Sequence, residues 1–504
     1  MVIIHKLKII GALTSKPYAF TSRSWELEKN ESVDIFDSMG SNLVVNFKGL
    51  KIVRVLPSVN EFLNQEWITN KARFSFEGLY KWRFTVPMIK DGNSFSPIGW
   101  SDAFQLISEK LKKSRETQFF CGDLDRISLS AYKEFVNQNF GVDLLNADVN
   151  TLLPKSNIVN NRALPFENYK EISLEKAVVL VNLNIRFEQP LMNVFFRNYK
   201  IKVYNVGSVF NFNYNHSSLG NNADTLLSTV KGKHLSCQFL VKCAKASKKN
   251  KVRFFFGSDL FLRNDGFQVE RAIEEINFLQ KGLVYKTLYQ STKVFSNLFS
   301  NIYKARYKNS KASGIFRYVA GNVSPQSLTK NYASKNQFLV FQGTHNKEDL
   351  SDIDLILPPS NHYEGTSIFN NNLSYKQETF KITQSPKISR PHWQIFKALS
   401  DFLINKGYSN RKLAFNDINE VKNLSTKVFN CDSNLTNNKA QFLNNILFKK
   451  IARTNKKILN KIYKSNFKRL NFTYYNSDII SRSSKTMLES HRAFDTNNNN
   501  FYYD

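Results

Sequence analysis

Five consecutive apolar residues, Ala177–Val181 (AVVLV), constrain this chain more than any other stretch. A strand with no polar residue on either side of its pleat is buried on both faces, the situation of a strand inside a parallel sheet covered by helices. The segments after it fit that arrangement. Pro190–Tyr199 reads as a helix with proline in its first turn, where the missing N–H costs nothing, and Ile201–Val206 reads as the next strand. Val252–Phe256 repeats the pattern. It leads through Gly257 into an amphipathic helix with Val269, Ile273, Ile276 and Leu279 on its inner face and Gly282 at its end. Strands alternating with helices predict an α/β fold with doubly wound parallel sheets.

The pattern extends in both directions. Trp100-Ser101-Asp102 begins a helix with Phe104, Ile107 and Leu111 at helical spacing, and a short apolar strand comes next at Gln118–Cys121. Later strands are predicted at Phe316–Ala320, Phe338–Phe341 and Ile353–Leu357, the last stopped by Pro358-Pro359. The helix after Arg390 takes Ser389 as N-cap and Pro391 early, puts Trp393, Phe396, Leu399 and Leu403 on one face, and ends at Gly407. Beyond Tyr408 the chain is rich in Asn and Lys, with an amphipathic, basic-faced helix expected at Phe442–Tyr463 and a low-complexity run at Asn497–Asn500. Towards the N-terminus, Leu43–Phe47 and Leu50–Leu56 are β-branched runs joined by Lys48-Gly49, a two-residue hairpin turn. With Trp25, Trp67, Phe74, Phe76, Tyr80 and Trp82 nearby, they predict a small β-rich core or a docking face.

Charge alone would suggest a nucleic-acid partner: 71 Lys and Arg against 41 Asp and Glu give +30. Composition offers a different cause. Gly supplies only 19 of 504 residues while Phe reaches 43, as expected of an A/T-biased genome such as an organellar one, where drift also inflates Lys. The basic clusters Lys242–Arg253 and Lys449–Arg469 then read as solvated helix faces, and a nucleic-acid-binding or ribosomal role becomes the weaker alternative.

Chemistry-bearing patterns are sparse. Cys121, Cys237, Cys243 and Cys431 form no C-x-x-C pair, which argues against a disulfide framework or a self-contained cluster site. The spacing of His234, Cys237 and Cys243 matches no familiar ligand set, so the thiols read as small hydrophobes. His345, His362 and His392 read as surface or loop residues, and the acidic pairs Glu26/Glu28 and Asp34/Asp37 as solvated faces. There is no P-loop, G-x-G-x-x-G or G-x-S-x-G. No apolar run approaches the roughly 18 residues of a membrane span. Met1–Leu13, interrupted by Lys6 and Lys8, does not read as a targeting peptide.

Several longer blocks carry a resemblance. GALTSKPYAF (Gly11–Phe20), SRSWELEKNESVDIFDSMGSNLVV (Ser22–Val45) and RVLPSVNEFLNQEWITNKARFSFEGL (Arg54–Leu79) resemble the junction between the two halves of the largest, iron–sulfur subunit of respiratory complex I, NADH:ubiquinone oxidoreductase. Leu174–Asn198, GSDLFLRNDG (Gly257–Gly266), FQGTH (Phe341–His345), PHWQIFKALSD (Pro391–Asp401) and IISRSSKTM (Ile479–Met487) resemble, in order, its molybdopterin-oxidoreductase-like half. Lys8 and Ile9 stand where the family has a Cys-Pro pair. The resemblance therefore implies the C-terminal half alone of a split subunit. It would comprise a junction segment (1–20), a small β-rich module (21–88), an α/β region (89–388) and a helical, Asn/Lys-rich C-terminal region (389–504).

That resemblance also implies a function. The chain is expected to act as a cofactor-free scaffold, itself non-catalytic, on the matrix side of the mitochondrial inner membrane. Its partners would be a separate iron–sulfur half carrying the clusters and other peripheral-arm subunits, with no nucleic acid and no membrane span. Leu13, Pro17, Tyr18, Phe20 and Trp25 are the expected interface residues. The alternative is an active molybdenum or tungsten pterin oxidoreductase. Against it, Asn182-Leu183-Asn184-Ile185 stands where pterin-binding relatives favour Gly first and Pro last, and Leu373, Ser374 and Tyr375 replace the Glu, Gly and Arg of a second binding loop.

Overall fold

The computed structural model describes residues 15–141, 145–146, 177–208, 211–230, 253–257, 260, 269, 284–288, 314–321, 337–345, 350–371, 375–408, 411–427, 467, 474–476 and 478–500. The helix expected from Val269 to Leu279, the cysteines at 237, 243 and 431 and the helix at Phe442–Tyr463 lie outside these residues, apart from a buried Val269.

The described chain starts with a three-stranded antiparallel sheet of β1 (Glu28–Val33), β2 (Asn42–Lys48) and β3 (Lys51–Pro57). Lys48 pairs with Lys51, so the hairpin turn is Gly49-Leu50, one residue later than the sequence predicts. The reason is conformational. Gly49 takes φ +59°, which a lysine would adopt only at a cost, and a bulge at Asn46/Phe47 absorbs the shift in register. Helix α1 (Asn70–Phe74) comes next, capped by the Thr69 hydroxyl, which accepts from the Ala72 amide at 3.1 Å.

The chain continues through β4 (Met88–Asp91), β5 (Ser94–Pro97), α2 (Trp100–Lys113), β6 (Glu116–Cys121), α3 (Arg126–Phe140) and β7 (Leu145–Asn146). It then builds a second unit from β8 (Ala177–Val181), α4 (Ile185–Glu188), α5 (Pro190–Asn198), β9 (Lys202–Val206), β10 (His216–Gly220), α6 (Ala223–Val230), β11 (Arg253–Gly257) and β12 (Val284–Leu288). It returns through β13 (Ile315–Ala320), β14 (Gln337–Gln342), β15 (Leu355–Leu357), a hairpin of β16 (Ser367–Asn370) and β17 (Lys376–Thr379), and α7 (His392–Asn405). Two further helices, α8 (Ile479–Ser483) and α9 (Lys485–Asn500), come last.

Two doubly wound sheets result. The first has the order β10-β9-β8-β11-β12, all parallel, and reverses direction between β8 and β11. The second has the order β5-β4-β15-β14-β13-β6-β7, with β15 to β7 parallel and the β4–β5 hairpin antiparallel at one edge. It reverses between β6 and β13. The first sheet is thus an insertion within the second. As the sequence predicts, β8 is buried on both faces: Val178 and Leu180 face one core with Phe195 and Phe255, while Ala177, Val179 and Val181 face another with Phe254 and Phe256.

The larger core is aromatic. Tyr132 of α3 stacks on Phe396 of α7 at 4.6 Å, and its hydroxyl reaches the carbonyls of Tyr318 and Phe120 at 3.1 and 3.3 Å. On α7, Phe396, Leu399 and Leu403 are buried as expected, but the N-cap is Pro391. Ser389 donates instead to the Pro386 carbonyl at 2.6 Å.

The small module is wedged between these units. Met39 and Leu63 join the core on one face of the five-stranded sheet. Ile35, Phe36, Val45, Phe76 and Leu79 share a core with Tyr363, Phe369 and Ile382, and with Ile479 and Ile480 of α8. Gly78 permits this last contact, because a Cβ there would collide with the Ile480 carbonyl.

Candidate functional site

In doubly wound sheets, ligands bind outside the carboxyl ends of the strands where strand order reverses. At the β8/β11 reversal that space is filled by Asn182 and Leu183. Asn182 takes φ +46°, and its amide donates to the Val206 carbonyl at 2.8 Å. A Cβ on Gly257 would strike the Asn182 carbonyl, and one on Gly207 would come within 3.0 Å of the Asn182 Cα. Leu183 and Ile185 turn into the core. The amide of Asn184, which an anionic ligand would need, donates to Glu188 Oε1 at 2.8 Å. That amide is thus already paired within the chain.

The β6/β13 reversal borders a cavity of about 580 Å³, counting its open mouth, lined among others by Asp123, Asp125, Thr344, Asn361, His362 and His392. Its polar groups are largely engaged by the fold. Asp125 caps α3, accepting from the amides of Ile127 and Ser128. Asn361 donates through its backbone and side chain to Glu364, which pairs with Arg83 at 2.8 Å. His392 Nδ1 lies 2.6 Å from Gln342 Nε2. At the second loop, where pterin-binding relatives carry their motif, Asn371 Oδ1 accepts from the Tyr375 amide at 2.9 Å, and Gln377 donates to the Gly40 carbonyl at 2.7 Å. Positions 372–374 lie outside the described residues.

The structure corrects the expectation for one acidic pair and places two of the histidines in buried loops. Glu26 and Glu28 are exposed, but Asp34 and Asp37 are buried in the β1–β2 loop. Asp34 accepts from the Phe36 amide at 2.8 Å and from Thr69 Oγ1 at 3.4 Å, and Asp37 from the Met39 amide at 3.1 Å. Burial pushes Asp34 up to about 6. It pushes Asp37 to about 8, with the Asp34 charge adding to the effect and buried Lys71 opposing it. Gln189 donates to Ser38, tying this loop to the α4–α5 turn. His345, in the loop after β14, is buried; desolvation and the Arg83 guanidinium hold it down to about 3. His362 is buried too, against Phe36 and Tyr363. Nothing local in the sequence signals these burials, because the covering groups come from remote segments.

Of the expected interface residues, Leu13 lies outside the described residues. Pro17 and Tyr18 are half-buried, with the Arg54 guanidinium 4.6 Å above the Tyr18 ring. Phe20 is fully exposed, and Trp25 is 80% exposed.

The two doubly wound sheets define a class of α/β protein, and comparison names it: the chain belongs to the molybdopterin oxidoreductase family, whose model matches residues 83–402, more than half of its length. Residues 27–77 match the model of the NADH-ubiquinone oxidoreductase NDSU1/NuoG-like 4Fe-4S domain. The chain is 32% identical to the NADH-ubiquinone oxidoreductase 75 kDa subunit of Reclinomonas americana, over 82% of this chain and 62% of that protein. It is 28% identical to the mitochondrial 78 kDa subunit of Candida albicans, over 96% of this chain and 67% of that protein. The 75 kDa subunit of Acanthamoeba castellanii is 32% identical, over 79% and 59% respectively. The chain therefore spans about 60% of the length of these relatives.

The match at residues 27–77 overturns two expectations: that the chain is the C-terminal half alone, and that it has no iron–sulfur part of its own. A domain of the cluster type lies within it, built from β1–β3 and α1. The donor chemistry of that stretch does not by itself fit a cluster, since residues 27–77 contain neither Cys nor His. Among the described residues, no three His, Cys, Asp or Glu converge as metal ligands. A pterin dinucleotide does not fit the β8/β11 crevice either, where Glu188 already holds the amide its phosphate would require. No helix among the described residues is long and apolar enough to cross a membrane.

Proposed function

We propose that this chain is a structural component of the peripheral arm of a complex I-type NADH:ubiquinone oxidoreductase, on the matrix side of the mitochondrial inner membrane. In this reading it braces its neighbours within that arm, which as a whole carries hydride from NADH and electrons on to quinone. The observation that carries this reading is the β8/β11 crevice, where Asn182 packs against Gly257 and Glu188 Oε1 already accepts from the Asn184 amide. The mitochondrial complex I subunits to which the chain is similar support it. Leu13, Pro17, Tyr18, Phe20 and Trp25 contact a neighbouring subunit of the arm in this reading, within an interface on the order of 2,000 Å².

Mass spectrometry and elemental analysis of the native assembly test the proposal together. Flavin- and cluster-bearing subunits should co-purify with this chain, without stoichiometric molybdenum or tungsten. Stoichiometric molybdenum or tungsten bound to this chain would make it a pterin oxidoreductase instead. A chain recovered with RNA, and released steeply by salt, would make it a nucleic-acid-binding protein.

A further inference from the structure

Seven of the eleven large hydrophobic side chains exposed among the described residues, Phe20, Trp25, Leu50, Val59, Phe62, Tyr80 and Trp82, fall within residues 20–82. Four of them converge at one end of the antiparallel module. The Glu26–Lys48 ion pair, at 3.0 Å, brings Trp25 beside the β2–β3 turn. Tyr80 Oη donates to the Leu50 carbonyl at 3.1 Å and accepts from the Ile52 amide at 2.9 Å, which brings the Tyr80–Trp82 segment to the same turn. Trp25, Leu50, Tyr80 and Trp82 thus gather at the hairpin end, and the exposed cations Arg23, Lys51 and Lys81 lie next to them in the chain.

Trp82 is held ready. Its φ of +58° is costly for a bulky residue and persists only where the neighbours fix it. Tyr80 is pinned on one side by its two hydrogen bonds. On the other side Arg83 is buried, paired with Glu364 at 2.8 Å and donating to the Pro359 carbonyl at 2.7 Å. A rigid, exposed tryptophan loses little entropy on binding, and such residues dominate interface energetics.

We propose that this hairpin end docks a neighbouring protein subunit whose contact surface has an apolar centre and an acidic rim. The proposal rests on the reading of the chain as part of a larger assembly and names the chemistry of one neighbour. Charge selects the occupant. A second copy would set Arg23, Lys51 and Lys81 against the same cations, on a chain already at +30. A lipid surface fits less well, because Tyr80 turns its hydroxyl inward to the backbone, whereas interfacial tyrosines direct it towards headgroups.

The test places a photo-crosslinking amino acid at Leu50 in the chain within its native assembly and identifies the captured peptide by mass spectrometry. Expected is a peptide of another subunit with apolar residues flanked by Asp or Glu. In parallel, Trp82→Ala and the pair Lys51→Glu with Lys81→Glu should each lower retention of that subunit at least tenfold, with an unchanged melting temperature for the variant chain. Crosslinks to this chain itself, to lipid, or to a basic surface overturn the proposal, as does full retention in the variants. In those cases an intact assembly would leave the scaffold reading standing; a wild-type chain recovered without any assembly overturns both.

Discussion

Asp37 shows what a single residue can hide. In the sequence it looks solvated, but Thr69, Lys71, Gln189 and Tyr474, from three other parts of the chain, help cover its loop. No local pattern encodes that burial, whereas the exposure of Glu26 and Glu28 could be read directly. The burial has a measurable consequence. Unfolded carboxyls titrate near ~4, so folded values raised to about 6 and about 8 contribute stability that is complete below the unfolded value. That stability is lost as pH rises through the folded values. The melting temperature should therefore fall between about pH 4 and pH 9, and Asp37→Asn should flatten the upper part of that decline. Calorimetry across the window decides it; a wild-type profile that stays flat would contradict the burial of these acids.

Among the elements, legibility followed the source of burial. Strand β8 could be read because a strand covered on both faces is a continuous apolar word, β13 and β14 because most of their residues are apolar, and α2 and α7 because their buried residues repeat at helical spacing. The hairpin turn was missed by one residue, because a bulge is a property of the pairing and not of either strand alone. The same limit applied to the crevice at β8: the sequence suggested obstruction by Asn182, but the decisive Glu188 bond depends on how α4 folds back. The α3–α7 packing offers a graded test. Tyr132→Phe forfeits a buried hydroxyl that reaches two carbonyls and should cost about 1 kcal/mol. Tyr132→Ala also removes the ring stacked on Phe396 and should cost about 3–5 kcal/mol. Urea unfolding of the two variants checks both values.

For the molecule as a whole, cohesion depends on contacts between units that are far apart in the chain. Arg83 joins the end of the small module to Glu364 and to the carbonyls of Thr344 and Pro359. Arg83→Ala would strand a buried carboxylate and should destabilise by about 3–5 kcal/mol, with part of that loss recovered when Glu364→Leu is added. Denaturant titration of the single and double variants measures the difference. The seating of α8 against Gly78 bears on biogenesis as well as stability. Residues 28–57 are synthesised about 400 residues ahead of Ile479 and Ile480, so the apolar side of the module stays uncovered for that whole interval. Ribosome-bound chains stalled before residue 470 should be cut by protease between residues 28 and 57, and released chains that include α8 should resist. Whatever shields the module during synthesis has to stay until α8 emerges to replace it.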